Sequence, residues 1–166
     1  MAELSLVRRL LRVMQIRQAS TKRDIEAACS LFHEYAAWIR IDLRFQGFPE
    51  ELVGLPGLYA PPDGRLLIAW LNDEAAGCVA LRPVSETICE MKRLYVRVAF
   101  HGRGLGRGLT ERLIAEATTA GYSTMVLDTL PFMQQAIKLY EALGFRPCSP
   151  YYDTPIDGTM FMELQL

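Results

Sequence analysis

The residues best suited to chemistry lie between Glu90 and Leu109. An apolar strand pattern there runs into a loop with glycine at every second position, Gly102-Arg103-Gly104-Leu105-Gly106-Arg107-Gly108, and the loop opens a helical stripe. Glycine lets a backbone approach a bulky anion and adopt dihedrals closed to other residues. The first N–H groups of a helix lack partners within it, and the helix dipole favours negative charge there. Such a turn can hold a diphosphate, and Arg103 and Arg107 add positive charge beside it. Two common phosphate loops are excluded. No GxxxxGK[ST] run exists. A GxGxxG dinucleotide fingerprint fails in both registers, because Arg107 and Leu109 stand where its last glycine belongs. A glycine-rich turn with no ligand is the other reading of this loop alone.

Other reactive groups are sparse. The cysteines are Cys29, Cys78, Cys89 and Cys148, with no CxxC pair, and the histidines are His33 and His101. Cys29 and His33, four apart, fall short of the three or four ligands of a metal site, so no metal is expected. Cys89 and Cys148 have no histidine partner in view, which argues against an acyl-cysteine route. Reduced, mostly buried cysteines fit a cytoplasmic location.

The elements that must position these residues follow from pattern. A chain of 166 residues, 51% hydrophobic and 22% charged, suits one globular domain. Eighteen basic and nineteen acidic side chains give a formal net charge of -1. That balance offers no reason to expect nucleic acid or an anionic membrane as partner. No apolar run approaches the roughly 20 residues of a membrane-spanning helix. Residues 1–13 place Arg8, Arg9 and Arg12 among Leu4, Leu6, Val7, Leu10 and Leu11. They read as an N-terminal extension: a short helix, the start of a transit peptide, or the result of an upstream start codon before Met14. Residues 14–166 are expected to form a single domain.

Residues 14–18 alternate as a strand. Thr21 and Asp24 then offer a variant capping box for a helix over 22–40. A Gly- and Pro-rich segment, 47–64, has room for a short helix at 50–53. Strands are predicted at 66–71, 75–83 and 87–96, closely joined and hence antiparallel. A helix follows the glycine loop, then a strand at 124–129, which makes a βαβ unit. Pro131 is read as opening the next helix, with Ala136, Ile137, Tyr140 and Leu143 on its buried face and Gly144 at its end. A strand from Phe145 and a last one at 160–164 complete a mixed α/β order, an antiparallel meander feeding a central βαβαβ.

The glycine loop resembles the acetyl-CoA signature of the GCN5-related N-acetyltransferases (GNAT), [RQ]-x-x-G-x-[GA]. Gly104 and Gly106 fill the two small positions, with His101 where Arg or Gln is usual. A second register, Arg103 with Gly106 and Gly108, also fits; the first is preferred for its likeness to the family's G-x-G-[IL]-G run. Downstream, Ala136-Ile137-Lys138-Leu139-Tyr140-Glu141-Ala142-Leu143-Gly144-Phe145 resembles the family's A-x-x-[LF]-Y-x-x-x-G-F helix end. Met133 stands where the family often has a cofactor-binding Asn.

The resemblance implies a mixed α/β fold with a mostly antiparallel central sheet, one splayed parallel pair of strands, and helices on both faces. It implies acetyl-CoA as co-substrate, bound by Leu94, Tyr95, Val96, His101, Gly102, Arg103, Gly104, Leu105, Gly106 and Arg107. It further implies direct transfer of acetyl to a primary amine of a small molecule or peptide, with Tyr140 as the acid near the thiol sulfur. Glu90 is the expected base and Asp128 the reserve. The acceptor would be recognised around His33, Glu34 and Trp38, by residues 44–59, and by residues 149–157 with Tyr151 and Tyr152. A homodimer is common among such proteins. The alternative is a non-catalytic acyl-CoA-binding sensor or scaffold, favoured by the departures at His101 and Met133.

Overall fold

Strand β2 (Arg65–Leu71) explains the layering. Its interior residues are all buried, so it reads as an unbroken apolar run, as a strand covered on both faces does. Leu66, Ile68 and Trp70 enter one core, while Leu67 and Ala69 enter the other. The computed structural model describes residues 14–166; residues 1–13, read above as an extension, lie outside the described residues.

Seven strands form one sheet: β1 (Met14–Gln18), β2, β3 (Glu74–Pro83), β4 (Ile88–Val96), β5 (Thr124–Thr129), β6 (Arg146–Pro147) and β7 (Met160–Gln165), in the order β1-β2-β3-β4-β5-β7-β6. Among the described residues, only β4 and β5 are parallel neighbours. Helix α1 (Lys22–Ile39) and the segment holding α2 (Phe48–Val53) cover one face, through Leu31, Phe32, Phe48 and Tyr59. Helices α3 (Leu105–Thr119) and α4 (Gln134–Ala142) cover the other, through Leu109, Leu113, Ala117 and Tyr140.

Two expectations need correcting. Helix α4 starts at Gln134 instead of Pro131. The Met133 amide donates to Leu130 O at 2.9 Å, so the chain completes a turn through Pro131 and Phe132 before the helix can begin. The central βαβαβ is also interrupted. β6 is only two residues long, whereas β7 pairs with β5 along its whole length, from Thr124↔Gln165 to Thr129↔Met160. The longer ladder takes the place beside β5, and β6 is left at the edge.

Strand β4 departs from regular pairing in two ways. Against β3, Cys78 pairs with Tyr95 and Ala80 with Lys92, so β4 carries one more residue than its partner. The extra residue is a β-bulge, and Arg93 takes the left-handed φ of 60° within it. Against β5, pairing is confined to Ile88↔Thr124, Cys89↔Met125 and Glu90↔Val126. Beyond Glu90 the two strands part.

Helix α1 is held at its start by the predicted capping box. Thr21 Oγ1 accepts from the Asp24 amide, and Asp24 Oδ2 accepts from the amides of Thr21 and Ser20, each at 3.0 Å. Arg17 of β1 pairs with the same carboxylate at 2.8 Å. Burial alone would raise the Asp24 pKa, but the Ser20 amide, Arg17 and Thr21 outweigh it and hold the pKa at about 2. A carboxylate with a depressed folded-state pKa stabilises fully above its unfolded value of 3.8 and loses that contribution as pH falls toward 2. Asp24→Ala is therefore expected to cost about 2 kcal/mol at pH 7. The gap from the parent should close between about pH 4 and pH 2. Urea unfolding followed by circular dichroism across that range is the check, and equal stability of the two proteins at pH 7 would contradict it.

Candidate active site

The glycine turn joins β4 to α3. Gly102 and Gly104 have φ of 74° and 73°, values that L side chains rarely adopt, and a Cβ at either would meet nothing within 4 Å. Open space therefore lies in front of the turn. Among the described residues, the amides of residues 102–107 have no hydrogen-bond acceptor, and the ladder of α3 begins only with Gly108 N to Gly104 O at 2.9 Å. These unpaired donors at a helix start make an anion site.

A cavity of ≈ 550 Å³ adjoins the turn. Of the residues named above for cofactor binding, Leu94, Tyr95, Val96, His101, Gly102, Gly104, Leu105 and Gly106 line it, together with Ala136 and Leu139 of α4. Arg103 and Arg107 do not. The Arg103 guanidinium lies 5.6 Å from the Phe100 ring centre, and Arg107 pairs with Glu111 at 2.8 Å. His101 Nε2 lies 2.8 Å from Val96 O. A carbonyl can only accept, so this nitrogen donates to the strand end and fastens the loop to it.

A second cavity, ≈ 90 Å³, shares Trp38, Leu94, Met133 and Ala136 with the first and continues into the splay between β4 and β5. The β4 bulge decides its chemistry. In a regular strand Lys92 and Arg93 would point to opposite faces; here both line this cavity. Arg93 Nε donates to Glu51 Oε2 and its Nη1 to Gln46 Oε1, each at 2.9 Å, with its guanidinium 5.0 Å from the Phe48 ring centre. The Arg93 side chain is 2% exposed. Tyr59 donates a short hydrogen bond to the same Glu51.

Tyr140 lines the second cavity, and no protein group among the described residues hydrogen-bonds its hydroxyl. Burial pushes its pKa well above the ordinary 10, so the phenol stays protonated. Asp128 lines the cavity as well, with Oδ1 3.7 Å from Lys92 Nζ.

Glu90 does not occupy the place expected of a base. It lines neither cavity and is buried on the far side of Lys92. Its oxygens are held by Arg82 at 2.6 Å, Lys92 at 3.3 Å and the Tyr151 hydroxyl at 2.9 Å. Burial would raise its pKa, but Lys92 and Arg82 lower it, so the carboxylate is stabilised as an anion and its lone pairs are engaged. Of the expected acceptor residues, Trp38 borders both cavities. Glu34 is committed to Arg97 at 2.7 Å, and His33 packs edge-on against Phe48. Gln46 lies in the expected acceptor segment 44–59, whereas Tyr35 was not singled out from the sequence; they line the second cavity from the loop after α1 and from α1 itself. Neither lies in a motif; only the folded chain brings them beside Arg93.

A family model described as the acetyltransferase (GNAT) family matches residues 26–145. The chain belongs to the GNAT acetyltransferase family. An N-acetyltransferase of Schizosaccharomyces pombe is 40% identical over 148 residues, covering 87% of this chain and 90% of the relative. An acetyltransferase structure from Streptococcus agalactiae shares the fold at TM-score 0.78 and 20% identity, covering 94% of this chain and 100% of that one. A GNAT family acetyltransferase from Elizabethkingia anophelis, solved with acetyl-CoA bound, matches at TM-score 0.55 and 26% identity over 63% of this chain and 77% of that one. The protein is an acetyltransferase that uses acetyl-CoA. The unpaired amides and the open space before Gly102 and Gly104 fit that co-substrate's diphosphate.

Gly106 separates folding from binding in this turn. Its φ is not positive, and a Cβ there would meet only Leu139 Cδ2, at 4.0 Å. Aspartate in the first turn of a helix favours the helix yet repels a diphosphate. Gly106→Asp is expected to keep or slightly raise the melting temperature of the free protein and to weaken acetyl-CoA binding by about two orders of magnitude, or about 2.7 kcal/mol. Calorimetric titration and a melting curve report both, and an unchanged affinity would remove the turn from cofactor binding.

Proposed function

We propose that the protein transfers acetyl directly to the primary amine of a small molecule or peptide, with Tyr140 as the acid and Asp128, through a water, as the base. The observation that carries this reading is the junction of the two cavities: an unpartnered, protonated phenol and a carboxylate both face the space that opens beside Leu94.

When bound, acetyl-CoA supplies an activated thioester; the remaining tasks belong to the chain. The Arg97 amide donates to Ala76 O, which fixes the phase of β4, so Leu94 and Val96 turn their main-chain groups away from β3 and toward the splay. His101 engages the Val96 carbonyl, leaving the N–H groups to bind and polarise an acyl oxygen. Holding donor and acceptor side by side supplies much of the rate acceleration. Asp128 accepts a proton from the incoming amine through water, with Lys92 Nζ 3.7 Å from its Oδ1. Tyr140 gives its proton to the leaving sulfur. A free phenol near pKa 10 and a thiol near 8.5 make that transfer uphill by roughly 2 kcal/mol, and burial raises the phenol further. Glu90, held behind Lys92, acts on the reaction only by balancing that lysine. The four free cysteines support the cytoplasm as its compartment.

Tyr140→Phe is expected to lower kcat by about 10²- to 10³-fold while acetyl-CoA affinity stays within about twofold. Thiol release under saturating acceptor, set beside direct titration of acetyl-CoA, tests this. Parallel losses in both would make Tyr140 a packing residue.

A further inference from the structure

The second cavity leads into a third, ≈ 30 Å³, which shares Tyr35, Gln46, Asp128, Thr129 and Met133 with it. The far wall carries the apolar side chains of Ile39, Ile41, Leu43, Phe45, Leu130 and Ile156 beside Thr154 and Thr159. Together the two spaces admit a compact group and leave no room for a long segment.

Charge narrows the choice. Arg82, Lys92 and Arg93 stand against Glu51, Glu90 and Asp128, each within 4.0 Å of an opposite partner, so the ionised groups in and behind this space sum to zero. A dry, balanced site penalises an occupant with net charge. Two donors meanwhile lack partners. Gln46 Oε1 accepts from Arg93, which turns its NH2 group the other way, and among the described residues that NH2 has no acceptor. The Tyr152 hydroxyl, on the wall of the third cavity, is buried without a well-formed hydrogen bond, and burial together with the neighbouring Asp128 carboxylate pushes its pKa up. A buried hydroxyl left unpaired costs free energy until a ligand satisfies it, whereas the NH2 group of the half-buried Gln46 stays within reach of water. The site thus offers one carboxylate, two unpaired donors and an apolar wall.

We infer that the acceptor is a small neutral α-amino acid, bound as its zwitterion, with its ammonium at Asp128, its carboxylate on Gln46 and Tyr152, and its side chain against the apolar wall. This rests on the transferase reading above and adds the acceptor's chemical class. The ammonium first releases one proton to water beside Asp128. As the N–C bond forms and the C–S bond breaks, the nitrogen loses a second proton and the sulfur receives one from Tyr140, which is then reprotonated from water. The products are an N-acetyl amino acid, free coenzyme A thiol and one proton.

The test compares valine with isobutylamine, valinamide and the dipeptide Val-Gly as acceptors for the full-length protein, with thiol release as the readout. Valine should exceed each of the others by about tenfold or more in kcat/KM, the worth of a charge-assisted hydrogen bond or two. Tyr152→Phe removes only the orphan hydroxyl. It should leave the melting temperature unchanged or higher, cut kcat/KM for valine by about tenfold, and leave isobutylamine unaffected. Isobutylamine, valinamide or Val-Gly performing as well as valine would overturn the inference while leaving the transferase reading intact, as would equal losses on valine and isobutylamine in Tyr152→Phe. If no acceptor in the panel is acetylated, the inference falls. A melting-temperature rise with acetyl-CoA then shows whether the donor site stands without it.

Discussion

The site depends on one buried ion pair, between Arg93 in the β4 bulge and Glu51 in α2. Arg93 adopts a left-handed φ, which costs about 1–3 kcal/mol for a non-glycine residue. Breaking a buried pair by removing one partner costs about 3–5 kcal/mol. The bulge therefore persists because the guanidinium has somewhere to go. Its extra residue turns β4 so that Leu94 and Val96 pack toward α3 and α4, while Tyr95 packs toward α1. The same pair ties the loop of residues 43–59 to the strand, and that loop carries Gln46 to the acceptor side. A single local irregularity thus parts β4 from β5 and builds one wall of what fills the gap.

The donor and acceptor sides rest on different physics. The glycine turn offers main-chain amides, which every residue but proline supplies, so an anion there does not require Arg or Gln at the place of His101. The second and third cavities, where we place the acceptor, are lined by side chains from α1, the following loop, β4, β5 and the segment before β7. Charge there is paired nearly throughout, which makes shape and the few unpaired donors the means of selection.

Legibility in the sequence divides along the same line. β1 and β5 match their expected bounds, because short alternating or apolar runs between turn signals leave little ambiguity. The helix start at Thr21 was legible from local chemistry, as was the glycine turn. What escaped was long-range. Nothing in Lys92-Arg93-Leu94 announces a bulge, since its stabilising partner Glu51 is 42 residues away. Glu90 reads as an available base until Arg82, Lys92 and Tyr151 are seen around it. The place of β7 beside β5 depends on ladder length, which a two-residue β6 could not compete with. Pro131 fits a helix start by type, but the turn closed by Met133 takes precedence.

Trp38, half exposed, borders both the first and the second cavity. The chain's other indole, Trp70, is buried and flanked by the guanidinium groups of Arg17 and Arg23, 5.3 and 4.8 Å from its ring centre. Only one of the two fluorophores thus lies where occupancy can alter its surroundings. The enzyme carries its own optical reporter at the junction of these two cavities, and unlabelled protein suffices to follow the order in which they fill.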